Sequence, residues 1–523
     1  MRPITPILFF FFAFVTANAQ KKIAVQSLKG YGGSAADQII SNVTKTNDGG
    51  FVLAMESNSP ANTGNIDSFC SESGERIIFL KYNHDGSVLE WNKCYWATGD
   101  SILIWIYPNN TSYILIGSIS TGGIVINKED ASGSLVWTKN YSKGNGSLLD
   151  DAIQTSDGGY IALSRSYYSD TNASIHYGSW MDADMWIIKL DSNGNKVWSK
   201  VIGGSANDWG TKLINAPNKG VYVAGITLSN DHDCTGNHSS GGYDAYIAKL
   251  DSNGNLIWHK DYGGSGTDEF YYACENLKGG LIACGYSTST DGDVHHHISP
   301  AGGQNYWATE IDTSGTIVWE NCNGGNGSEV AHTICKATDG SIWLGGYSLG
   351  SGGEIDTFYG FRDAFFVHAD SVGKFISEKV LGSTQDDEGL MIYALSNNSV
   401  IAGGFYWAQN AGFSSLYNYG AQDAFLTVFS PWPENVDVQN EATTYIQAFP
   451  NPATDEVKVR INQTNCTVQI SISNVLGAQV YSNNLSSSQT ELRIQTGNWL
   501  RGVYFIQVLN ERGFKSISKV ILV

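Results

Sequence analysis

A short phrase ending in tryptophan recurs through the middle of this chain. Trp137, Trp198, Trp258 and Trp319 stand 61, 60 and 61 residues apart, and a Gly-Gly pair follows the last three of them by five positions. The phrase has the form Leu-Asp-Ser-Asn-Gly before Trp198 and Trp258, and a close variant stands before Trp319. A constant period near 60 residues predicts one supersecondary unit repeated in tandem.

Each repeat contains four short segments rich in β-branched and aromatic residues. The first two are joined by a tight turn such as Asp157-Gly158-Gly159, where glycine supplies the positive φ that a hairpin needs. The last two are joined by the Asn-Gly turn that precedes the tryptophan. Four strands in roughly 45 to 65 residues are typical of one blade of a β-propeller.

Seven such units predict a seven-bladed β-propeller over residues 20–430. The units begin near Gly32, Trp96, Ser142, Gly203, Gly263, Gly324 and Gly382. The seventh unit lacks a fourth strand, and residues 23–29 stand ahead of Gly32 where a fourth strand should be. We therefore expect the N-terminal segment to pair with the last unit and close the ring, which removes an exposed sheet edge.

Composition and the N-terminus predict an all-β, exported protein. The chain has 59 glycines and 12% aromatic residues, and no segment has a sustained helical period. Residues 1–19 predict a cleaved signal peptide, with Arg2, an apolar core and Ala17-Asn18-Ala19 before the cleavage point. That core is too short to span a bilayer, and we expect no transmembrane segment. The net charge of −19 argues against a nucleic-acid partner.

The C-terminal part, residues 444–523, follows a predicted linker at residues 431–443. Its short alternating strands predict a small Ig-like β-sandwich. It contains Pro450-Asn451-Pro452, then Gly502-Val503-Tyr504, then the segment from Lys515 to Lys519. In this order these segments resemble the type A C-terminal sorting domain of proteins exported by the bacterial type IX secretion system.

This resemblance implies where the protein goes. It implies recognition by the outer-membrane translocon and removal of the tail by a sortase-like protease, so that the protein is secreted or held at the outer-membrane surface. The positions that match the family are Pro450, Pro452, Gly502, Tyr504, Lys515 and Lys519. The repeats also resemble the tandem propeller-type repeats often found ahead of this domain. An ordinary accessory sandwich is the alternative interpretation of the tail.

In five units an acidic residue stands four positions after the second residue of the Gly-Gly or Gly-Ser pair between repeats. These residues are Asp37, Asp208, Asp268, Glu329 and Asp387. In a propeller this position begins the innermost strand, so the carboxylates could converge beside the channel and bind a cation such as Ca²⁺. Alternatively each is a structural residue that accepts backbone N–H bonds, which its presence in nearly every repeat favours. No cofactor other than calcium is suggested.

The long loops after the second strand carry the least repetitive residues. Oxygen and imidazole donors stand at Asp231, Asp233, His238, Asp291 and Asp293, and exposed aromatic residues are expected at Trp180, Trp407 and Tyr417. The Asp-x-Asp pairs lack the remaining ligands of a calcium loop. Exposed aromatic side chains are typical of binding surfaces. We therefore predict that this face binds a glycan, a peptide or a surface protein without catalysis.

Two other functions stay open. The sequence contains no nucleophile elbow, zinc-hydrolase motif, phosphate loop or dinucleotide fingerprint, which argues against an enzyme of those classes. A propeller-fold polysaccharide lyase or glycosidase would need titratable groups from different blades to converge in one pocket. A structural adhesin or matrix protein would need no such pocket.

The eight cysteines have no metal-site spacing. Cys274 and Cys284 lie on consecutive predicted strands, where they form either a disulfide or two small core residues. Cys466 is alone in its predicted domain and is expected to be an unpaired thiol.

Overall fold

The computed structural model describes most of the chain in two compact units, Met1–Glu434 and Asn435–Val523. The described residues are 23–60, 63–66, 76–96, 101–109, 112–119, 123–130, 132–141, 149–167, 176–179, 182–239, 241–276, 278–298, 303–395, 399–430, 446–449, 453–461, 468–474, 479–485, 491–510 and 515–522. The predicted signal peptide and the predicted linker lie outside them.

The described part of the first unit forms seven four-stranded antiparallel sheets. Sheet 1 contains β2 (Asp37–Lys45), β3 (Phe51–Ser57), β4 (Arg76–Tyr82) and β5 (Leu89–Trp96). Sheet 2 contains β6 (Ser101–Asn109), β7 (Ser112–Ile119), β8 (Ile124–Asp130) and β9 (Leu135–Tyr141). Sheet 3 contains β10 (Leu149–Gln154), β11 (Tyr160–Ser166), β12 (Asp184–Leu190) and β13 (Lys196–Ile202). Sheet 4 contains β14 (Asp208–Ala216), β15 (Gly220–Thr227), β16 (Asp244–Leu250) and β17 (Leu256–Tyr262).

The remaining three sheets follow the same order. Sheet 5 contains β18 (Asp268–Glu275), β19 (Leu281–Ser287), β20 (Asn305–Ile311) and β21 (Ile317–Asn323). Sheet 6 contains β22 (Glu329–Lys336), β23 (Ile342–Ser348), β24 (Asp363–Ala369) and β25 (Phe375–Leu381). Sheet 7 contains β26 (Asp387–Ala394), β27 (Val400–Tyr406), β28 (Asp423–Ser430) and the N-terminal strand β1 (Ala24–Tyr31). Two short 3₁₀ helices are Pro217–Lys219 and Ala411–Phe413.

The sheets are arranged as a closed ring, which makes this unit a β-propeller. The first strands of sheets 3 to 7 contact one another in sequence, β26 contacts β2, β2 contacts β6, and β7 of sheet 2 contacts β10 of sheet 3. The ring closes because β1 pairs antiparallel with β28, from Ala24 opposite Ser430 to Tyr31 opposite Ala424. The outermost strand of the last sheet therefore comes from the N-terminal end of the described chain.

Burial follows from this arrangement. The third strands of sheets 1, 3, 5 and 6 are buried along their whole length, because each is covered on both faces by the neighbouring sheets. The fourth strands lie at the outer edge, and β9 accordingly has no fully buried residue. The sheets thus bury their apolar side chains between neighbours and not within one sheet.

The repeated tryptophans join each sheet to the next. The indole Nε1 of Trp198 donates to the carbonyl of Ser252 at 3.0 Å, and that of Trp258 donates to Thr313 at 3.2 Å. Both acceptors lie in the Asn-Gly or Ser-Gly turn of the following sheet. The turn glycine has a positive φ, and a Cβ on Gly254 would lie only 2.8 Å from the ring of Trp198. Glycine is therefore required twice at this point, for the turn and for the close approach of the indole.

The second unit contains two sheets around one core. One consists of β29 (Ile446–Phe449), β30 (Glu456–Ile461) and β33 (Glu491–Gln495), and the other of β32 (Gln479–Leu485), β31 (Val468–Asn474), β34 (Gly502–Asn510) and β35 (Lys515–Leu522). Val457, Val459 and Ile494 of the first sheet share this core with Ile470 and Ile506 of the second. The alternating pattern in the sequence reflects this half-buried arrangement.

Four of the six predicted sorting residues lie in described strands. Gly502 begins β34 with φ +145°, and the buried Tyr504 donates its hydroxyl to the carbonyl of Leu500 at 2.7 Å. Lys515 and Lys519 lie on β35, opposite Leu509 and Phe505 of β34. Pro450 and Pro452 lie outside the described residues.

Candidate functional site

The five repeated acids occupy the first position of the innermost strand and are completely buried. Asp208 accepts hydrogen bonds from the backbone N–H of Gly204 at 2.6 Å, from Thr227 Oγ1 at 2.5 Å and from Ser229 Oγ at 2.8 Å. Asp37, Asp268, Glu329 and Asp387 make related bonds to the preceding connection or to the end of the second strand. The hydrogen bonds of each carboxylate thus hold the inter-sheet connection against the sheet to which the acid belongs.

Burial changes the ionisation of four of these acids. It raises the pKa of Asp37, Asp208 and Glu329, and it raises the pKa of Asp387 to about 7. Within the described residues, no group of three or more His, Cys, Asp and Glu side chains is arranged to hold a metal ion.

A second set of buried acids begins the third strand of four sheets. These residues are Asp184, Asp244, Asp363 and Asp423. In each, Oδ2 accepts a backbone N–H from the preceding loop, at 2.9, 2.6, 2.5 and 2.6 Å respectively, while the buried Oδ1 has no hydrogen-bond partner. Burial raises the pKa of the first three to about 6 and that of Asp423 to about 7.

The two sets of acids meet at the boundaries between sheets, and we call these combinations seam pairs. They are Asp184 with Asp208, Asp244 with Asp268, Asp363 with Asp387, and Asp423 with Asp37. In each pair, one member has a pKa that is raised chiefly by burial and further by the charge of the other member. At the boundary between sheets 5 and 6 an amide replaces the third-strand acid. There Asn305 accepts from the N–H of Ile298 at 2.8 Å and donates Nδ2 to Glu329 Oε2 at 2.9 Å.

The predicted loop residues make local bonds. Asp231 accepts from the N–H of Ser205 at 2.7 Å, and Asp291 accepts from the N–H of Ser265 at 2.7 Å. Asp293 accepts weakly from Gly263, Asp233 lies 3.6 Å from Lys200 Nζ, and His238 Nδ1 lies 2.8 Å from Asp244. These side chains hold the loops against the inter-sheet connections, and the structure does not bring them together as one site.

Exposed aromatic side chains are concentrated in the loops of sheets 6 and 7. Phe361, Tyr417 and Trp407 are 73%, 63% and 42% exposed, and the Tyr417 ring lies 4.7 Å from that of Tyr419. Trp407 is anchored near the connection between sheets 6 and 7, because its backbone N–H donates to Asp387. We call Tyr359, Phe361, Trp407, Tyr417 and Tyr419 the loop-face aromatics. Trp180 lies outside the described residues.

The innermost strands carry a register shift near their middle, and the residue there faces the channel. Shifts fall between Leu149 and Asp151, Gly210 and Lys212, Phe270 and Tyr272, Ala331 and Thr333, and Gly389 and Met391. The extra residue of such a bulge is turned away from the ladder, a device common beside active sites. These residues are Asp150, Thr211, Tyr271, His332 and Leu390.

The bulge residues line a cavity of about 330 Å³ in the channel. Ile40, from the shifted region of β2, completes the wall. Sheets 3 to 6 contribute polar and aromatic groups, whereas sheets 7 and 1 contribute Leu390 and Ile40. We call this space the channel cavity. The sheets share the same strand pairing, but the residues that they contribute to this cavity differ.

Charged groups in the channel cavity are paired. Lys212 Nζ lies 2.9 Å from Asp151 Oδ1 and 4.6 Å from the centre of the Tyr272 ring, and the N–H of Leu213 donates to Asp151 Oδ2 at 2.7 Å. Burial raises the pKa of Asp151, although the charge of Lys212 opposes the shift. Burial alone would lower the pKa of Lys212, but Asp151 holds it above the usual value.

Only one of the two carboxylate oxygens of Asp150 has a hydrogen-bond partner. Arg165 Nε donates to Asp150 Oδ1 at 2.9 Å, and the guanidinium lies 5.1 Å from the centre of the Trp209 ring. Asp150 Oδ2 is buried and has no hydrogen-bond partner. Burial raises the pKa of Asp150 to about 6, even though Arg165 favours the charged form. A buried acceptor without a donor is costly.

On the opposite side, His332 stacks on Tyr271 with ring centres 5.3 Å apart. His332 Nε2 lies 2.7 Å from Glu388 Oε1, and Arg362 lies 2.7 Å from the other oxygen. Although burial alone would raise it, His332 and Arg362 hold the pKa of Glu388 below its usual value.

The C-terminal tail has a recognisable family. Residues 447–523 match the secretion system C-terminal sorting domain. This match supports the predicted export through the type IX secretion system to the cell surface or the medium. No curated protein matches the chain. None of the helical segments in the described part has the length and apolar character of a membrane span.

Solved structures are similar only at a low level. YCF48 bound to D1 peptide is 8% identical, with a TM-score of 0.41 over 79% of this chain and 99% of that chain. The β-propeller domain of the Trilobed protease from Pyrococcus furiosus is 10% identical, with a TM-score of 0.30 over 72% of this chain and 95% of that chain. A fungal alcohol oxidase of the AA5 family, in complex with copper, is 11% identical, with a TM-score of 0.39 over 96% of this chain and 100% of that chain. The fold assignment therefore depends on the sheet topology described above.

The channel cavity was not predicted from the sequence. Aligned repeats carry unlike residues both at the bulge position and on either side of it, so the repeat pattern does not single out that position. The cysteines are also clearer in the structure. Cys274 and Cys284 are free and lie opposite Ile282 and Tyr272, whereas Cys94 is disulfide-bonded. Cys466 lies outside the described residues.

Proposed function

We propose that this chain is an exported, seven-bladed β-propeller that binds a glycan, a peptide or a surface protein without catalysis. In this proposal residues 1–19 are a cleaved signal peptide and residues 444–523 are a type A, Ig-like sorting domain. The translocon and its protease would recognise that domain, including Pro450, Pro452, Gly502, Tyr504, Lys515 and Lys519. The match of residues 447–523 to the sorting family supports this route.

The asymmetry of the channel cavity carries the proposal. Burying Asp150, Asp151 and Lys212 costs desolvation free energy that apolar residues of similar size would avoid. Leu390 occupies the bulge position of sheet 7, so the framework accepts an apolar side chain there. The polar residues at this position in sheets 3 to 6 therefore support the proposal of a ligand in the channel cavity.

The loop-face aromatics support a second region of contact. Three of these rings, those of Phe361, Trp407 and Tyr417, are 42 to 73% exposed, and they offer large, rigid surfaces that bind sugars or peptides with little loss of side-chain entropy. Of these aromatics, Trp407 lies beside the connection between sheets 6 and 7, because its N–H donates to Asp387.

An enzyme is the second candidate, and the channel cavity is the observation that favours it. Asp150 and His332 come from different sheets and line one cavity, as a propeller-fold lyase or glycosidase would require. With a pKa of about 6, Asp150 would be able to exchange a proton near neutral pH.

Thermal unfolding of the exported protein with oligosaccharides, peptides and Ca²⁺ tests these alternatives. A ligand at about 100 times its Kd should stabilise the protein by about 2.7 kcal/mol. Binding that falls with Trp407→Ala or Tyr417→Ala, but not with the exposed control Val318→Ala, would assign the loop face. A shift with Ca²⁺ would support the acids Asp37, Asp208, Asp268, Glu329 and Asp387 as cation ligands.

Product analysis of the bound oligosaccharides separates binding from catalysis. Intact sugar after prolonged incubation is the expected result, and new reducing or unsaturated ends would replace the proposal with an enzyme. If none of the ligands stabilises the protein, binding of glycans and peptides is wrong, and a protein partner or a structural surface role is the better account.

A further inference from the structure

We propose that the long loop of sheet 7 binds a neutral oligosaccharide, with the exposed rings of Trp407 and Tyr417 stacking on its sugar units. We call residues 407–422, between β27 and β28, the sheet-7 loop. This inference rests on the proposed binding function and names the ligand class and the residues that recognise it. Two independent observations support it, because the loop exposes aromatic rings and contains no charged residue.

The sheet-7 loop is uncharged in an acidic protein. Residues 407–422 contain no Asp, Glu, Lys, Arg or His, although the net charge of the chain is −19. The corresponding loops of sheets 4 and 5, residues 228–243 and 288–304, each contain two aspartates and at least two histidines. A charged ligand would lose hydration at the sheet-7 loop without gaining an ion pair, whereas a neutral ligand loses less.

The hydrogen bonding of the fold does not require this neutrality. In sheets 4 and 5, Asp231 and Asp291 each accept the N–H of a serine in the preceding inter-sheet connection at 2.7 Å. In sheet 7, Asn410 takes this place and accepts the N–H of Thr384 at 3.0 Å. The amide makes the same bond without the charge. Since two other sheets have aspartate at this position, the neutral residue in sheet 7 needs another explanation, which a neutral ligand supplies.

The sheet-7 loop is held in place beneath its exposed rings. Phe413 is completely buried and stacks on Tyr406 with ring centres 4.8 Å apart. The Tyr406 hydroxyl donates to the carbonyl of Tyr417 at 2.7 Å, and Asn418 Nδ2 donates to the carbonyl of Trp407 at 3.0 Å. The backbone that carries both exposed rings is therefore ordered before binding, which reduces the entropy lost when a ligand stacks on them.

The exposed groups of the sheet-7 loop match the two kinds of surface that a sugar has. Trp407 and Tyr417 are 42% and 63% exposed, and Gln409, Ser414 and Ser415 are exposed in the same loop. A pyranose has C–H groups on its faces and hydroxyls around its edge. Its face would stack on an aromatic ring while its hydroxyls bond to uncharged amide and hydroxyl side chains.

A peptide fits this surface less well. The order of sheet 7 is β1-β28-β27-β26, so neither strand that borders the loop has an open edge to which an extended peptide would add. The loop also offers no ion-pair partner to charged side chains. Towards sheet 6, Arg362 is bound to Glu388 at 2.7 Å, so an anionic glycan would have to compete with that carboxylate.

Calorimetric titration of the exported protein tests the inference. The neutral probes are hexasaccharides of glucose, xylose and mannose. Hexagalacturonate and the hexamer of glucosamine are the anionic and cationic comparisons, and uncharged hexapeptides are the comparison from another class. We expect at least one neutral hexasaccharide to bind, with the same Kd between about 0.1 M and 1 M NaCl, because no ion pair forms.

Variants of the two exposed rings locate the site. Tyr417→Ala and Trp407→Ala should each weaken binding at least tenfold, because each removes an aromatic contact. Tyr417→Phe retains the ring and should bind as the unchanged protein does. The matched control is Val318→Ala, which removes an apolar side chain that is 53% exposed outside the loop. Thermal unfolding checks that each variant is folded, and the second ring variant serves as the test if the first does not fold.

Four results would overturn the inference, and they differ in what they leave of the proposed function. Tighter binding of a charged hexamer than of every neutral one would reject the ligand class. Neutral-sugar binding that neither ring variant changes would reject the site and retain a glycan-binding protein. Binding of peptides but of no sugar would retain a binding protein and reject the sugar. Absence of binding by every probe would reject the inference and leave a surface protein as the partner in the proposed function.

Discussion

Replacing Asp423 by Asn should stabilise the propeller at pH 8 and leave its stability nearly unchanged at pH 4.5. Asp423 is fully buried at the boundary between sheets 7 and 1, and its neighbour across the boundary is Asp37. Its Oδ2 accepts the N–H of Tyr419 at 2.6 Å, which an asparagine Oδ1 would also accept. The remaining oxygen has no partner. The change therefore reproduces the arrangement of Asn305 with Glu329.

The magnitude follows from the pKa of Asp423. It is raised from 3.8 to about 7, chiefly by burial. Because the folded-state pKa lies above the unfolded one, the folded protein binds the extra proton between about pH 4 and pH 7. Stability is therefore greatest at the acidic end and falls as the pH rises through that window. At about 1.4 kcal/mol per pKa unit, the loss at pH 8 approaches about 4 kcal/mol.

An amide does not titrate, so Asp423→Asn should recover much of this loss at pH 8. For a propeller of this size we expect Tm to change by about 1 °C per kcal/mol, since the unfolding entropy grows with chain length. Differential scanning calorimetry at pH 4.5 and pH 8 should then show a gain of about 2–4 °C at pH 8 and almost none at pH 4.5.

The reverse substitution, Asn305→Asp, is the matched test. It creates a fifth seam pair opposite Glu329 and should lower Tm at pH 8 by a similar amount, with little effect at pH 4.5. Asp191→Asn is a control that should not stabilise the protein at pH 8, because hydrogen bonds from the turn lower the pKa of Asp191. If Asp423→Asn lowered Tm at pH 8, or if Asn305→Asp changed it equally at both pH values, the seam pairs would not hold a proton.

Three further changes test the packing and the export signal. Lys212→Met leaves Asp151 buried without its partner and should reduce the free energy of unfolding in urea by about 3–5 kcal/mol. Lys200→Met removes a more exposed ion pair and should reduce the free energy of unfolding by less than about 1 kcal/mol. Equal losses for the two variants would contradict the idea that burial makes the Lys212 pair more important. Gly285→Ala places a Cβ 1.8 Å from a backbone oxygen of the neighbouring strand and should cost about 1–3 kcal/mol, measured in the same way; an unchanged midpoint would contradict this packing. Gly502→Ala forces alanine to a φ of +145° and should cost about 1–3 kcal/mol and reduce the secreted fraction on immunoblots; unchanged secretion would separate this strand from sorting.

Local signals made most of the strand pattern predictable. The Asp-Gly-Gly and Asn-Gly turns require positive φ at glycine, and the structure has it at Gly158, Gly194 and Gly254. The pairing of β1 with β28 was predictable because the last repeat is one strand short. In the tail, the predicted short alternating strands are present, whereas β29 has only four residues, which is too short to show a clear alternation.

The candidate site was less predictable because it depends on register and on neighbours distant in sequence. A bulge cannot be located from alternation alone, and it decides that Asp150 and Tyr271 face the channel. The partners of the buried acids were equally hidden. Asp423 meets Asp37 only because the ring closes. For the repeated acids, the sequence left open a cation site and a structural role as backbone acceptors, and it favoured the structural role.

The two kinds of variation within the repeat have different meanings. Asn305 stands where other repeats have aspartic acid, yet it makes the same backbone bond and donates where a protonated acid would donate. That substitution retains the chemistry of the boundary. At the bulge position, Asp150, Thr211, Tyr271, His332 and Leu390 share neither charge, size nor hydrogen-bonding capacity, while their strands keep the same pairing. The fold does not require these differences between repeats, and they all lie around one cavity. A site in a repeat protein that recognises one ligand needs differences of this kind.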